Sequence, residues 1–431
     1  MGTKTMRMVL TPCVFVRELK RLDALSCHTI RFTVMIVALV FFTSCSGKAP
    51  MNARHLPSGL NSRFTFSGGS FDDYIAQSRK QMTDARLDLS ADNRARIIDG
   101  NAPFSLAPAP DCAATSPRRG ILLSHGLTDS PYSMRALGRF FQQHCFHVRA
   151  ILLPGHGTRP GDLLEVTWQE WAKAVAFGVE RLAREVDEVY LAGFSTGGAL
   201  SIHHALNDRR IKGLFLFSPA VEVSSLAVIA NWHKLYSWAF PSKKWIDLQD
   251  DESPFKYESF PFNAADQIHL LTREVKRRLE DKTLTVPIFI AASEDDATVH
   301  TSATLDLFQR ATHPTNRMIL YGSDTEPLPP RVERVEGRVE TARILGSAHT
   351  AIVVPPSDPH FGVAGDYAMC GHYFKDAERY RLCKNRQEAF LGETTPENLK
   401  RGVIRRLTYN PHYDAMTRAL SAHLEAIQVA R

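Results

Sequence analysis

Val189-Tyr190-Leu191-Ala192-Gly193-Phe194-Ser195-Thr196-Gly197-Gly198-Ala199-Leu200 is the stretch that decides the fold. Its apolar beginning reads as a strand and Ala199-Leu200 as the opening of a helix, so a Gly-x-Ser-x-Gly at 193–197 falls in the turn between them. A turn this tight leaves no room for side chains two residues before and two after the serine. It lifts the hydroxyl clear of the backbone at the helix start. Glycine-rich turns also arise by chance, so the surrounding chain has to agree.

It does. From Gly120 onward apolar runs at 121–123, 148–153, 189–191, 214–217, 286–291 and 318–321 alternate with helix-length segments near 133–142, 168–184, 197–207, 266–280 and 302–311. That alternation predicts βαβ units and a mainly parallel sheet covered by helices on both faces, an α/β fold. Upstream, Ser70 opens a helical pattern through Phe71, Tyr74, Ile75 and Met82. One stretch breaks the rhythm: residues 220–262 hold nine aromatics in 43 residues, against 9% for the chain. An insertion this apolar is expected to act as a lid, with Trp232, Tyr236 and Trp238 as substrate-binding residues, although aromatics also pack subdomains.

A serine hydroxyl is a weak nucleophile at neutral pH and needs a base, itself oriented by a carboxylate. The run 286–291 leads into Ser293-Glu294-Asp295-Asp296-Ala297-Thr298-Val299, which puts Asp295 and Asp296 at a strand end. Downstream, Arg343-Ile344-Leu345-Gly346-Ser347-Ala348-His349 places a histidine beyond another apolar stretch. His349 is the leading base, with His360 and His372 as alternatives in the same chain order. Acyl transfer also develops negative charge on a carbonyl oxygen, which two backbone N–H groups can stabilise. The one after the nucleophile belongs to Thr196. The other, on the loop following Leu122-Leu123-Ser124-His125-Gly126-Leu127, belongs to Leu127, with His125 expected to hold the loop's shape.

The segments HGLTDSPYSMRAL, LPGHGTRPGDL, GFSTGG, SEDDATV and GSAHTAIVVPPSDPHFG resemble α/β hydrolases of the serine aminopeptidase S33 or monoacylglycerol lipase type, particularly exported bacterial forms. The resemblance covers about residues 118–365. It implies an α/β-hydrolase fold, Ser195, Asp296 and His349 as catalytic residues, Leu127 and Thr196 as the oxyanion hole, and Pro154-Gly155-His156-Gly157 as a structural loop. The Asp-x-x-Val pattern favours Asp296 over Asp295. One departure stands out: His349 lies some 28 residues beyond Tyr321, further than the family usually allows, which leaves the last strand unassigned. The implied chemistry is hydrolysis of an acyl ester or lipid through an acyl-enzyme, with no cofactor and no metal. A serine aminopeptidase or acyltransferase uses the same triad, and a catalytically silent envelope lipoprotein is the reading from another class.

The overall charge of +6 does not point to nucleic acid: residues 1–44 carry six basic and two acidic side chains, leaving +2 over the rest. Within that leader, the eleven apolar residues 32–42 follow Arg31 and precede Thr43-Ser44-Cys45-Ser46, the parts of a signal peptide. Its end resembles a lipobox, which makes Cys45 a lipidation site and the protein an exported, membrane-anchored lipoprotein of the periplasm-facing outer membrane. Residues 45–69, rich in Ser, Gly, Pro and Asn, are expected to be a tether, with the domain at 70–431 and a C-terminal extension from about 366 that carries no assignable motif. Four cysteines remain after the leader, suited to an oxidising compartment. Cys112 with Cys145 and Cys370 with Cys383 are the preferred pairs, since each brackets one short segment.

Overall fold

Each apolar run beyond Gly120 is followed by a segment long enough to carry the chain back across a sheet, and the strands pair in parallel as such crossovers require. The computed structural model describes residues 50–66, 68–112, 117–223 and 241–430. The leader, Cys45 and the aromatic residues Trp232, Tyr236 and Trp238 lie outside the described residues. In chain order the first half contains α1 (Phe71–Ala85), α2 (Arg94–Asn101), β1 (Phe104–Leu106), β2 (Arg119–Ser124), α3 (Arg135–Gln143), β3 (Phe146–Ile151), α4 (Trp168–Ala183), β4 (Glu188–Phe194), α5 (Thr196–Ala205) and β5 (Ile211–Phe217). The second half contains β6 (Trp245–Asp247), β7 (Phe260–Pro261), α6 (Phe262–Asp281), β8 (Ile288–Ser293), α7 (Thr301–Arg310), β9 (Arg317–Gly322) and β10 (Val332–Glu336). It ends with α8 (Ala377–Lys384), β11 (Phe390–Gly392), α9 (Pro396–Leu399), β12 (Ile404–Arg406) and α10 (Tyr413–Val429).

The main sheet has the order β1-β3-β2-β4-β5-β8-β9-β10, parallel throughout except that β1 runs antiparallel to β3. Successive residues of a strand feed opposite faces. Ile121 and Leu123 join one core while Leu122 joins the other, and on β8 Phe289 and Ala291 oppose Ile288 and Ile290. Both faces are therefore dry, which is why these strands read as unbroken apolar runs. The chain order reverses across β2 and β4, where the crevice at the carboxyl ends of a parallel sheet opens. Ser124 pairs with Gly193 there, so the loops that leave β2 and β4 start side by side.

The structure fills in four parts of the sequence reading. Residues 50–66 are not a loose tether: His55 is buried against Ser259, and the Asn61 carbonyl accepts from the Gly155 N–H at 2.6 Å. The C-terminal region is integral to the fold. Tyr413, Met416, Leu420 and Leu424 of α10 pack with Phe141, Phe215 and Phe289 in one core, filling a face that the sheet alone would leave wet. The long interval before His349 contains an additional parallel edge strand, β10, whose Val332 pairs with Met318. Of the expected lid at 220–262, residues 224–240 lie outside the described residues, and the part at 241–262 packs on the domain: Trp245 and Phe255 are buried, and the Tyr257 N–H donates to the Thr128 carbonyl at 2.7 Å.

Both expected disulfides are present, Cys112–Cys145 beside the start of β3 and Cys370–Cys383 between a short turn and α8.

Candidate active site

Ser195 sits between β4 and α5 with φ at 51°, a left-handed conformation that costs a non-glycine residue about 1 to 3 kcal/mol. Its neighbours explain the glycines. A Cβ on Gly193 would stand 2.2 Å from the Gly197 carbonyl oxygen, and one on Gly197 would stand 2.0 Å from that of Ser124. The strained turn is pinned from outside, because the Ser195 N–H donates to the Phe217 carbonyl of β5 at 2.9 Å.

Thr196 is the first helical residue, so its N–H has no acceptor within the helix. Among the described residues the Leu127 N–H also takes no acceptor, and both residues line the cavity that holds Ser195. The loop carrying Leu127 is held by two histidines whose rings lie 5.0 Å apart. His125 Nδ1–H donates to the Gly126 carbonyl at 2.8 Å while its Nε2 accepts from the Leu153 N–H at 3.1 Å. His156 Nε2 accepts from the Thr128 N–H at 3.0 Å, and its Nδ1–H points at the Pro154 carbonyl. Both rings must be neutral to accept. Burial keeps them so, lowering His125 well below the ordinary value and His156 to about 4.

His349 opens a short 3-10 turn on the same cavity wall, and its Nδ1–H donates to Asp296 Oδ2 at 2.6 Å. The other carboxylate oxygen of Asp296 accepts from the N–H groups of Thr298 and Val299 at 2.8 and 3.0 Å. Burial alone would raise the Asp296 carboxyl, but the His349 ring and these donors outweigh it and hold the group below its ordinary value. Asp295 points elsewhere. A Cβ on Gly346 would meet its carboxylate at 2.1 Å, and burial together with Glu294 pushes its pKa up to about 6. His360 is engaged by Ser253 and Asp366, and His372 by the Ile404 carbonyl at 3.0 Å.

The C-terminal region adds residues with no motif to announce them. Glu393 Oε2 accepts from the His349 backbone N–H at 3.1 Å and from Arg406 at 2.9 Å, and Arg406 also reaches Thr298 Oγ1 at 3.0 Å. One buried ion pair thus braces both the histidine and the loop that carries Asp296. The cavity between these groups measures about 500 Å³. Val223, Ile246, Phe260, Ile268 and Val299 give it an apolar side.

Residues 115–323 match the family model described as serine aminopeptidase, S33. That span includes Leu127, Ser195, Thr196 and Asp296 and stops short of His349, which the tertiary contacts bring in. The chain is 27% identical over 205 residues to a thermostable monoacylglycerol lipase of Bacillus sp. (strain H-257), covering 47% of this chain and 77% of the relative. It is 25% identical over 189 residues to a carboxylesterase of Bacillus subtilis (strain 168), covering 43% and 75%. A solved structure of a metagenome-derived lipolytic enzyme aligns over 51% of this chain and 87% of its own, with 21% identity and a TM-score of 0.44. The parallel sheet and the serine elbow on β4 give this chain an α/β-hydrolase fold, and its residues 115–323 are similar to the serine aminopeptidase S33 family.

Proposed function

We propose that the protein hydrolyses carboxylic esters of apolar acyl groups through an acyl-enzyme on Ser195. The observation that carries this reading is the meeting, in one cavity, of a strained serine, a carboxylate-oriented histidine and two N–H groups without acceptors. Ser195 Oγ attacks the ester carbonyl as His349 Nε2 takes its proton, leaving Asp296 to hold the imidazole tautomer and stabilise the imidazolium. The Leu127 and Thr196 N–H groups receive the oxyanion, each contributing about 3 to 4 kcal/mol to the barrier. His349 then returns the proton to the leaving alcohol, and water repeats the sequence to release the acid. The apolar cavity side suits an acyl chain, as do the names of the two Bacillus relatives.

A fluorophosphonate probe is expected to label the native protein and not Ser195→Ala. Across a series of acyl esters, kcat/KM is expected to rise by up to about fourfold per methylene until the apolar side is filled. Labelling that survives the substitution removes the serine from the mechanism, and faster cleavage of aminoacyl amides than of esters redirects the reading to a peptidase.

The place of work in this reading is the exported face of a membrane, with Cys45 as the lipid-bearing residue after signal cleavage. The sequence of the leader and the two disulfides support it. Mass spectrometry of the membrane fraction is expected to find Cys45 acylated, and Cys45→Ser to release the protein. An unmodified Cys45 in that fraction would contradict the anchor.

A further inference from the structure

The charged side chains that line the catalytic cavity are engaged, with one exception. Arg406 is paired with Glu393, Glu258 accepts from the Tyr367 hydroxyl and the Glu252 N–H, Asp247 accepts from Gln249, and His372 meets the Ile404 carbonyl. Of the charged residues lining this cavity, Lys256 alone has neither a hydrogen-bond acceptor nor an ion-pair partner among the described residues. It is also close to the chemistry. The next residue, Tyr257, is tied by its N–H to the carbonyl of Thr128, the residue after the oxyanion donor Leu127. Lys256 also lines a small side pocket of about 20 Å³ with Asp129, Ser133 and Phe194, and Phe194 is the residue before the nucleophile.

Lys256 is half-buried, and an ammonium partly withdrawn from water without a direct partner carries a desolvation cost that an entering anion would relieve. Burial accordingly lowers the Lys256 pKa, and Asp129 is the largest influence in the opposite direction. Asp129 is a weak counter-charge. It is buried, accepts from Ser133 Oγ at 2.6 Å and from the Ser130 N–H at 2.8 Å, and its pKa is pushed up to about 6. The wall beside the oxyanion loop therefore offers three N–H donors of an uncommitted cation to whatever enters the cavity.

We propose that Lys256 forms an anion-binding subsite of the catalytic cavity, so that the favoured substrate is an acyl ester carrying a phosphate or carboxylate near the scissile bond. This deepens the ester-hydrolase reading and rests on it. Chemically the substrate is an amphiphile, with a chain for the apolar side of the cavity and a negative group for Lys256.

The test compares kcat/KM for dodecanoylglycerol, dodecanoylglycerol phosphate and a dodecanoyl ester of a hydroxycarboxylic acid, all below their micellar concentrations. The native protein is expected to favour the anionic esters by about ten- to a hundredfold, the range of a charge-assisted hydrogen bond. The ranking of the phosphate and carboxylate esters identifies which anion the subsite takes. Lys256→Met is expected to collapse the anionic-to-neutral ratio toward one, mainly through KM, and Lys256→Arg to keep most of it. Glycerol phosphate is expected to inhibit the native protein competitively where glycerol does not, a reading that needs no variant to fold. A native ratio near one, a ratio that survives Lys256→Met, or an equal fall for every ester overturns the subsite. Loss of all three activities with intact folding in the native protein would instead strike the ester-hydrolase reading itself.

Discussion

Two Ser-His-Asp arrangements among the described residues invite comparison. In one, His349 donates to Asp296 and shares a cavity with Ser195. In the other, His360 Nε2 meets Ser253 Oγ at 2.8 Å and its Nδ1 faces Asp366. The second set has the connectivity of a triad without the surroundings of one. Its ring is packed among Phe255, Phe361 and Tyr367, with centroids 4.5 to 5.2 Å away, and its carboxylate is shared with Arg96 near the surface. Neither Ser253 nor His360 lines the catalytic cavity. Ser253 also lacks the strained elbow that presents Ser195, where two glycine positions admit no Cβ. In the proposed mechanism, residue identity and pairwise hydrogen bonds are therefore not enough for nucleophilic catalysis. Access for a carbonyl and pre-aimed N–H groups separate a reactive site from a cross-tie.

The largest contrast is expected between the serines. Ser195→Ala should reduce ester turnover by at least about 10⁴-fold, whereas Ser253→Ala should change it by no more than about threefold. Steady-state kinetics on folded protein checks both, and a comparable loss in the two variants would erase the distinction. The carboxylates should follow in order. Asp296→Asn removes the partner that fixes the His349 tautomer and should lower kcat by about 10³- to 10⁴-fold, while Asp366→Asn should leave kcat near the native value.

Smaller effects belong to stability. His156 is held neutral with a pKa of about 4, against about 6.5 for an unfolded chain, so the unfolded state takes up the proton first as pH falls. Its contribution is complete above about pH 6.5 and declines toward pH 4, by roughly 3 kcal/mol in all. Denaturant titrations should therefore show His156→Asn most destabilised at neutral pH and converging on the native protein near pH 4. A pH-independent difference would mean that the ring's neutrality does not matter. His360→Ala should be the mildest, costing about 2 kcal/mol of stability while the surviving folded fraction keeps its turnover. A loss of turnover in the folded fraction would promote the second arrangement from cross-tie to participant.

Much of this was legible in the chain. The βαβ alternation, the elbow and both short-range disulfides follow from local patterns, because a strand buried on both faces must be apolar along its length and a tight turn must exclude Cβ atoms. The packing of residues 50–66 and of the C-terminal region was opaque for the opposite reason. Residues 50–66 form little regular structure, and their packing against Gly155, Asp162 and Ser259 involves partners about a hundred or more residues away. Glu393 and Arg406 likewise gain meaning only through contact with His349 and Thr298.

By itself, then, the sequence determined the strand–elbow–helix unit at 189–200, the parallel sheet around it and the identity of Ser195 as the hydroxyl at the elbow, since backbone sterics act over a few residues. The sequence favoured Asp296 and His349 without fixing them; that Asp296 is the aspartate that meets His349, and that Lys256 is the cavity cation left without a partner, were decided by tertiary structure. Asp295 and Asp296 are chemically equal neighbours, and only the direction each takes from the end of β8, one toward Gly346 and one toward His349, distinguishes them. Side-chain roles depend on what lies opposite in space, and here that is supplied by chain segments far apart in sequence.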